Sequence, residues 1–284
     1  MKLGLTTDSF GPAIQGGRMN LSKIIEFAKQ REFEGIEIVN RKDIWRRDIG
    51  DDIKMNMTRM RENKIRYFSY GVNYDLAVSD SQLRWRAMNK IREAILLACT
   101  TNSPDVCVFG TGLTEPELNW DDVSSYVIDG LKDCLQLAEK KHINLSIKNG
   151  GRVCNGSDRM LQILNEIGSK NLQISIDVAA FLLVDEEPAD AVRTLQGSIN
   201  NVHFTGVRNA ETYVGNEWVT LGGRQLEPCV LGEGIVPQRE VLYTLKQINY
   251  EGFVIVLYQG SEEPAVGIER SSNYLKTMLK EIKK

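Results

Sequence analysis

Histidine is scarce in this chain, with two residues in 284, and the five cysteines are odd in number and form no CxxC pair. The cysteines therefore read as small buried residues of a reducing compartment rather than as a disulfide framework. No run of Lys and Arg stands out, and the formal net charge is −3. A nucleic-acid footprint needs clustered basic residues, so that class of partner is not expected. No apolar stretch is long enough to span a membrane, and the opening Met1-Lys2-Leu3-Gly4-Leu5 runs straight into strand-like sequence without the apolar region of a secretory signal. The expectation is a cytoplasmic chain with no membrane partner.

What is present is ordinary globular composition, 42% hydrophobic and 26% charged, enough for a full core. Short β-rich runs alternate with helical patterns, which is the mark of a parallel sheet. Eight strands are expected, at Leu3–Thr7, Gly35–Val39, Ile65–Tyr70, Asp105–Phe109, Ile143–Lys148, Leu172–Asp177, Asn201–Thr205 and Phe253–Tyr258. Between them, Leu21–Gln30, Asp121–Lys141, Ser157–Ile167, Arg239–Ile248 and Ile268–Ile282 carry apolar residues at helical spacing, with Asn119 placed to cap the second. A doubly wound open sheet would ordinarily announce itself by a Gly-rich first turn. Here that turn is Thr6-Thr7-Asp8-Ser9-Phe10-Gly11. The pattern therefore predicts an α/β fold in which residues 1–284 form a single (β/α)8 TIM barrel.

Barrel chemistry sits at the C-terminal ends of the strands. The residues there are Asp8, Glu37, Tyr70, Lys148 with Asn149, Asp177, His203, and Tyr258 with Gln259. The longest strand-to-helix stretches, after Tyr70 and after Thr205, are expected to wall a cleft. His142 falls at a helix-to-strand turn and reads as a surface or capping residue.

At these strand ends the chain resembles the xylose-isomerase-like sugar isomerase/epimerase barrels. Phe33-Glu34-Gly35-Ile36-Glu37 has the form of that family's second strand. Leu145-Ser146-Ile147-Lys148-Asn149-Gly150 falls where the family carries Glu-Asn-His, and Ile174-Ser175-Ile176-Asp177 resembles its strand ending in Asp. Asn201-Val202-His203-Phe204 resembles its His strand, Leu231-Gly232-Glu233-Gly234 its Gly-Glu-Gly segment, and Gly252–Tyr258 its closing strand. The resemblance implies a divalent ion held by Glu, Asp, His and Glu from four strands, the two glutamates also moving the proton between sugar carbons. Carried over, those positions are Lys148, Asp177, His203 and Leu257, while Ala180 replaces a further His and Gln259 an acid.

An ammonium about 4 Å from a dication is repelled by several kcal/mol even at moderately high dielectric, so no metal or other cofactor is expected. Lys148 is open to three readings: the counter-ion of a buried Asp177, an electrophile polarising a sugar carbonyl or hydroxyl, or a Schiff-base lysine. The candidate catalytic set is Lys148, Asp177 and His203, the imidazole serving as acid and base. Candidate substrate contacts are Glu37, Tyr70, Asn149, Arg208, Glu233, Tyr258 and Gln259. Arg208 is suited to clamp a hydroxyl, carboxylate or phosphate, although a solvated loop arginine fits equally well. Trp218, Tyr74 and Phe10 join Tyr70 and Tyr258 as rings suited to stack on a sugar, with plain packing as the alternative. The expected partner is a small sugar-like molecule, with a homo-oligomer implied by the resemblance. Two functions stay open: metal-independent isomerase, epimerase or lyase chemistry, and a non-catalytic sugar sensor or partner subunit.

Overall fold

The computed structural model describes residues 1–41, 43–45, 49–115, 117–212 and 218–283. Eight strands lie parallel and close on themselves: β1 (Lys2–Thr6), β2 (Gly35–Asn40), β3 (Arg66–Asn73), β4 (Asp105–Phe109), β5 (Asn144–Lys148), β6 (Leu172–Asp177), β7 (Ile199–Asn209) and, after a detour, β9 (Phe253–Leu257). β9 pairs with both β1 and β7, and β6 with β7, which completes the ring. The detour is β8 (Leu226–Cys229), which runs antiparallel to the outer half of β7 and lies outside the barrel wall. The helices α1 (Gly11–Gln15), α2 (Leu21–Gln30), α3 (Ile49–Glu62), α4 (Ser81–Thr101), α5 (Trp120–Lys141), α6 (Ser157–Ile167), α7 (Pro188–Thr194), α8 (Gln238–Gln247) and α9 (Pro264–Lys283) surround it. None of them, among the described residues, is long and apolar enough to cross a membrane.

Local chemistry sets these boundaries. Asn119 closes a reciprocal capping box with Asp122 at the start of α5, which removes two unpaired donors there. His142 ends the same helix in the left-handed region, as an exposed C-cap. Of the cysteines, all free, Cys107, Cys134, Cys154 and Cys229 are buried as expected, whereas Cys99 is exposed on α4.

Alternation along each strand divides apolar residues, which face the helices, from an unusually polar interior. On β6, Leu172, Ile174 and Ile176 join the main core while Gln173, Ser175 and Asp177 fall on the other face. Two register irregularities crowd this interior further. β3 carries Phe68 as an extra residue opposite Ile36/Glu37, and β7 carries Asn200 opposite Ile174/Ser175. Phe68 closes the barrel floor by stacking on Phe253, with ring centroids 3.9 Å apart. Gly35 is required there, because a Cβ would lie 2.8 Å from both rings. Asn200 donates to Ser146 Oγ at 2.8 Å, and Ser146 and Ser69 donate to the carboxylate of buried Asp105 at 2.5 and 2.6 Å.

Burial pushes the Asp105 carboxyl up to about 7, with the charge on Glu37 adding to it and the two serine hydrogen bonds opposing it. In the unfolded chain the same group ionises near pH 3.9. Between about pH 4 and pH 7 the unfolded state therefore sheds a proton that the native state keeps, and Asp105 costs stability as pH rises through that window. Asp105→Asn should accordingly raise the melting temperature by a few degrees at about pH 8 and by little or nothing at about pH 4. Calorimetric scans at the two pH values check this; an equal effect at both rules out a titrating Asp105.

Candidate functional site

The mouth of the barrel is built from strand ends that the alternation turns inward. Lys148 ends β5, Asp177 ends β6, His203 lies on β7, Glu37 on β2 and Leu257 ends β9. A small internal cavity beneath the mouth is lined by Thr6, Glu37, Cys107, Lys148, His203 and Leu257, among others. Above it a cleft of about 760 Å³ opens to solvent. Its lining includes Lys148, Asp177, Phe109, Asn149 and Trp218, with the Arg41–Asp8 pair along one side.

Lys148 Nζ lies 3.9 Å from Asp177 Oδ2 and 5.3 Å from the centre of the Phe109 ring. Burial opposes its charge, but Asp177, Glu37, Cys107 and Asp8 outweigh that penalty and raise its pKa above the ordinary lysine value. This amine stays an ammonium, which weighs against a Schiff-base role needing the free base. Asp177 is held on all sides. Thr205 Oγ1 donates to its Oδ2 and the Ala179 amide to its Oδ1, each at 3.2 Å. The side-chain amide of Asn149 clamps its main chain, accepting from Asp177 N at 2.6 Å and donating to Asp177 O at 3.2 Å.

One layer below, His203 Nε2 lies 2.9 Å from Glu37 Oε2, and His203 Nδ1 lies 3.3 Å from the carbonyl oxygen of Ile176. Both ring nitrogens face acceptors, an arrangement satisfied by an imidazolium paired with the Glu37 carboxylate. Burial raises the pKa of Glu37, but the charge and hydrogen bond of His203, the charge of Lys148 and a hydrogen bond from Thr6 prevail and lower it overall.

Of the residues singled out from sequence, Lys148, Asp177, Asn149 and Gln259 line the cleft. Glu37 and His203 lie beneath it, engaged with each other. Four expected contacts are elsewhere. β3 runs three residues beyond Tyr70, so that buried ring faces α3 and α4 and lines a separate pocket, and Asn73 is the β3 residue at the cleft. β7 continues past the barrel rim into the hairpin with β8, which carries Arg208 outward to an ion pair with Glu227 at 2.6 Å. Glu233 pairs with Arg270 on the surface. The Tyr258 ring folds back against Gly260 and Gly267, and its hydroxyl accepts from Glu262 N at 2.8 Å. Sequence reasoning passed over Arg41 and Arg152, both on the cleft lining. Arg41 was detectable as the residue following β2, and Arg152 as the cation of the glycine-rich turn after Lys148.

With this geometry, the chain belongs to the xylose isomerase-like TIM barrel family, whose sequence profile matches residues 25–278. An uncharacterized protein of Methanocaldococcus jannaschii is 27% identical over 208 residues, covering 70% of this chain and 66% of that protein, just under two thirds of its length. Among solved structures, a probable 3-DHS dehydratase, AsbF, involved in petrobactin synthesis in Bacillus anthracis, superposes with a TM-score of 0.76 at 16% identity. It covers 97% of this chain and 99% of its own. A D-tagatose 3-epimerase-like protein superposes with a TM-score of 0.74 at 22% identity, covering 100% of this chain and 98% of its own. The fold is thus related to those of sugar epimerases and of a dehydratase.

Because Glu37 is held below its ordinary pKa in the native state, its pairing contributes stability above about pH 4.3 that is lost as pH falls through the folded-state value. Glu37→Gln should lower the urea-unfolding free energy by about 2–4 kcal/mol near pH 7, since it removes the carboxylate partner of a buried His203 ring. The difference from the parent chain should shrink below about pH 4. Equal unfolding midpoints near pH 7 would show that the pair is not ionic.

Proposed function

We propose that this barrel binds a small polyhydroxylated ligand, a sugar or sugar phosphate, in the mouth cleft, and that Lys148 there supplies the positive charge that relatives recruit as a divalent ion. The observation that carries this reading is the ammonium of Lys148, held charged 3.9 Å from Asp177 at the floor of the cleft. The residues at hand do not fit a metal. Among the described residues no three His, Cys, Asp or Glu side chains converge on one point, and the imidazole at the mouth is taken by Glu37.

In the proposed chemistry a ligand carbonyl or hydroxyl oxygen accepts from Lys148 Nζ. Negative charge that develops on that oxygen, as a proton leaves the neighbouring carbon or a C–O bond lengthens, is stabilised by a cation already in place. Asp177, the carboxylate beside Lys148, is the group placed to carry the proton, and Asn149 and Thr205 orient it. His203 acts through Glu37, setting the charge balance beneath Lys148. Such a site supports isomerase, epimerase or lyase chemistry without a metal. A second reading, a non-catalytic sugar sensor or partner subunit, is favoured by the engagement of both His203 nitrogens, which leaves the imidazole no open face toward the cleft. Neither reading involves nucleic acid or a membrane, and both allow self-association of the chain.

Turnover of a panel of aldoses, ketoses and their phosphates in the presence of a chelator separates the readings. The catalytic one expects activity that survives chelation and falls about 10²–10³-fold in Lys148→Ala. Binding without turnover supports the sensor. Stoichiometric metal coordinated by Asp177 and His203 overturns both.

A further inference from the structure

The cleft has two sides of different electrical character. On one, Arg41 is neutralised by Asp8 at 3.0 Å and by Asp43 at 2.6 Å, and on the floor Lys148 is matched by Asp177. On the other, the turn that follows β5 carries Arg152. Its Nη2 donates to the carbonyl oxygens of Val219 at 2.7 Å and Thr220 at 3.4 Å, and its own carbonyl accepts from Arg159 Nη1 at 2.6 Å. Main chain and side chain are therefore both anchored, yet no carboxylate among the described residues pairs with this guanidinium. Carbonyl oxygens satisfy donors without cancelling charge, and Nε and Nη1 remain as separate donors that point in different directions. Most arginines on this surface are instead matched by carboxylates, as Arg59 is by Glu26, Arg224 by Asp185 and Arg239 by Glu281.

The space beside Gly150 is open, while Leu113 covers Gly151 next to Arg152. Between Lys148 and Arg152 the chain reads Asn149-Gly150-Gly151, and a Cβ built on Gly150 would meet nothing within 4 Å. The other unpaired charge on the lining, Glu117, is exposed on the loop between β4 and α5. Glu117 is exposed and strongly screened, whereas the cation of Arg152 is half-buried and screened less, so an anion beside Arg152 is attracted on balance.

We infer that the ligand of this cleft is anionic: its polyhydroxylated part reaches Lys148, and a terminal carboxylate or phosphate is held by the charge and remaining donors of the Arg152 guanidinium. This rests on the reading of the cleft as a sugar site and adds the substrate class to it. Arg152 thereby sets specificity, rejecting a neutral sugar because the uncancelled guanidinium then keeps only its carbonyl partners.

Titration calorimetry on the full chain tests this with three matched probes: a neutral hexose or pentose, its terminal phosphate, and its terminal sugar acid. The expected result is binding of one anionic probe at least about tenfold tighter than of the neutral one, with phosphate and acid arms showing which group is preferred. Arg152→Gln should bring the anionic and neutral affinities to within about twofold of each other. Arg152→Lys should restore part of the preference, because it returns charge without the several planar donors of a guanidinium. Circular dichroism and melting temperature of the variants confirm that they fold. If neutral and anionic probes bind equally, or if Arg152→Gln weakens both alike, the anionic assignment fails while the sugar site stands. If no probe of any kind binds, both fail.

Discussion

A positive charge fixed to the protein at the floor of the barrel mouth organises everything around it. The ammonium of Lys148 is largely withdrawn from solvent, and such a cation persists only where anions meet it. Asp177 stands 3.9 Å away at the next strand end, and the Glu37 carboxylate beneath acts through space. Those carboxylates need support in turn. Asp177 takes hydrogen bonds from Thr205 and the Ala179 amide, and Glu37 takes one from His203. The result is a layered network in which removing one charge strands its partners, so the site is held by mutual dependence more than by any single bond.

This network has consequences for the rest of the barrel. Parallel barrels usually fill their interior with branched aliphatic side chains. Here Ser69, Asp105, Ser146, Ser175 and Asn201 occupy it, all buried. The apolar layer between barrel and helices must therefore supply the hydrophobic stabilisation that the interior does not, and the core cluster is drawn mainly from the outward faces of the strands and the inward faces of the helices. Asp105 answers its burial by holding its proton up to about pH 7, with the nearby anion of Glu37 adding a smaller push.

The loops convert this charged floor into a cleft. Asp75 ties the loop after β3 to the loop after β4 by accepting from the amides of Gly112, Leu113 and Thr114. Arg152 ties the turn after β5 to the segment at Val219 and Thr220, beyond the end of β7. Rigid edges of this kind reduce the ordering that a ligand must impose on binding. They also explain why four expected ligand contacts are elsewhere: each belongs to a strand that runs on past the rim or to a loop tied down by an ion pair of its own.

Strand positions, helix periods, the Asn119 cap and the left-handed His142 turn were readable from sequence because each depends on neighbours two to four residues away. The same local reading placed Lys148, Asp177 and His203 at strand ends, since alternation and strand length are local properties. It could not find the bond between Glu37 and His203, 166 residues apart, or the pairing of Asp8 with Arg41. Nor could it see that β3 and β7 carry an extra residue and run on, moving Tyr70 and Arg208 out of the mouth. Which side chains share a layer is set by the stagger of eight strands as the barrel closes, a quantity that no single segment of the chain contains. Sequence alone determined that an ammonium, a carboxylate and an imidazole would lie on adjacent strands. Tertiary structure decided that the ammonium and the carboxylate face the cleft while the imidazole is turned away, because only the closed barrel brings a glutamate from its far side to receive it.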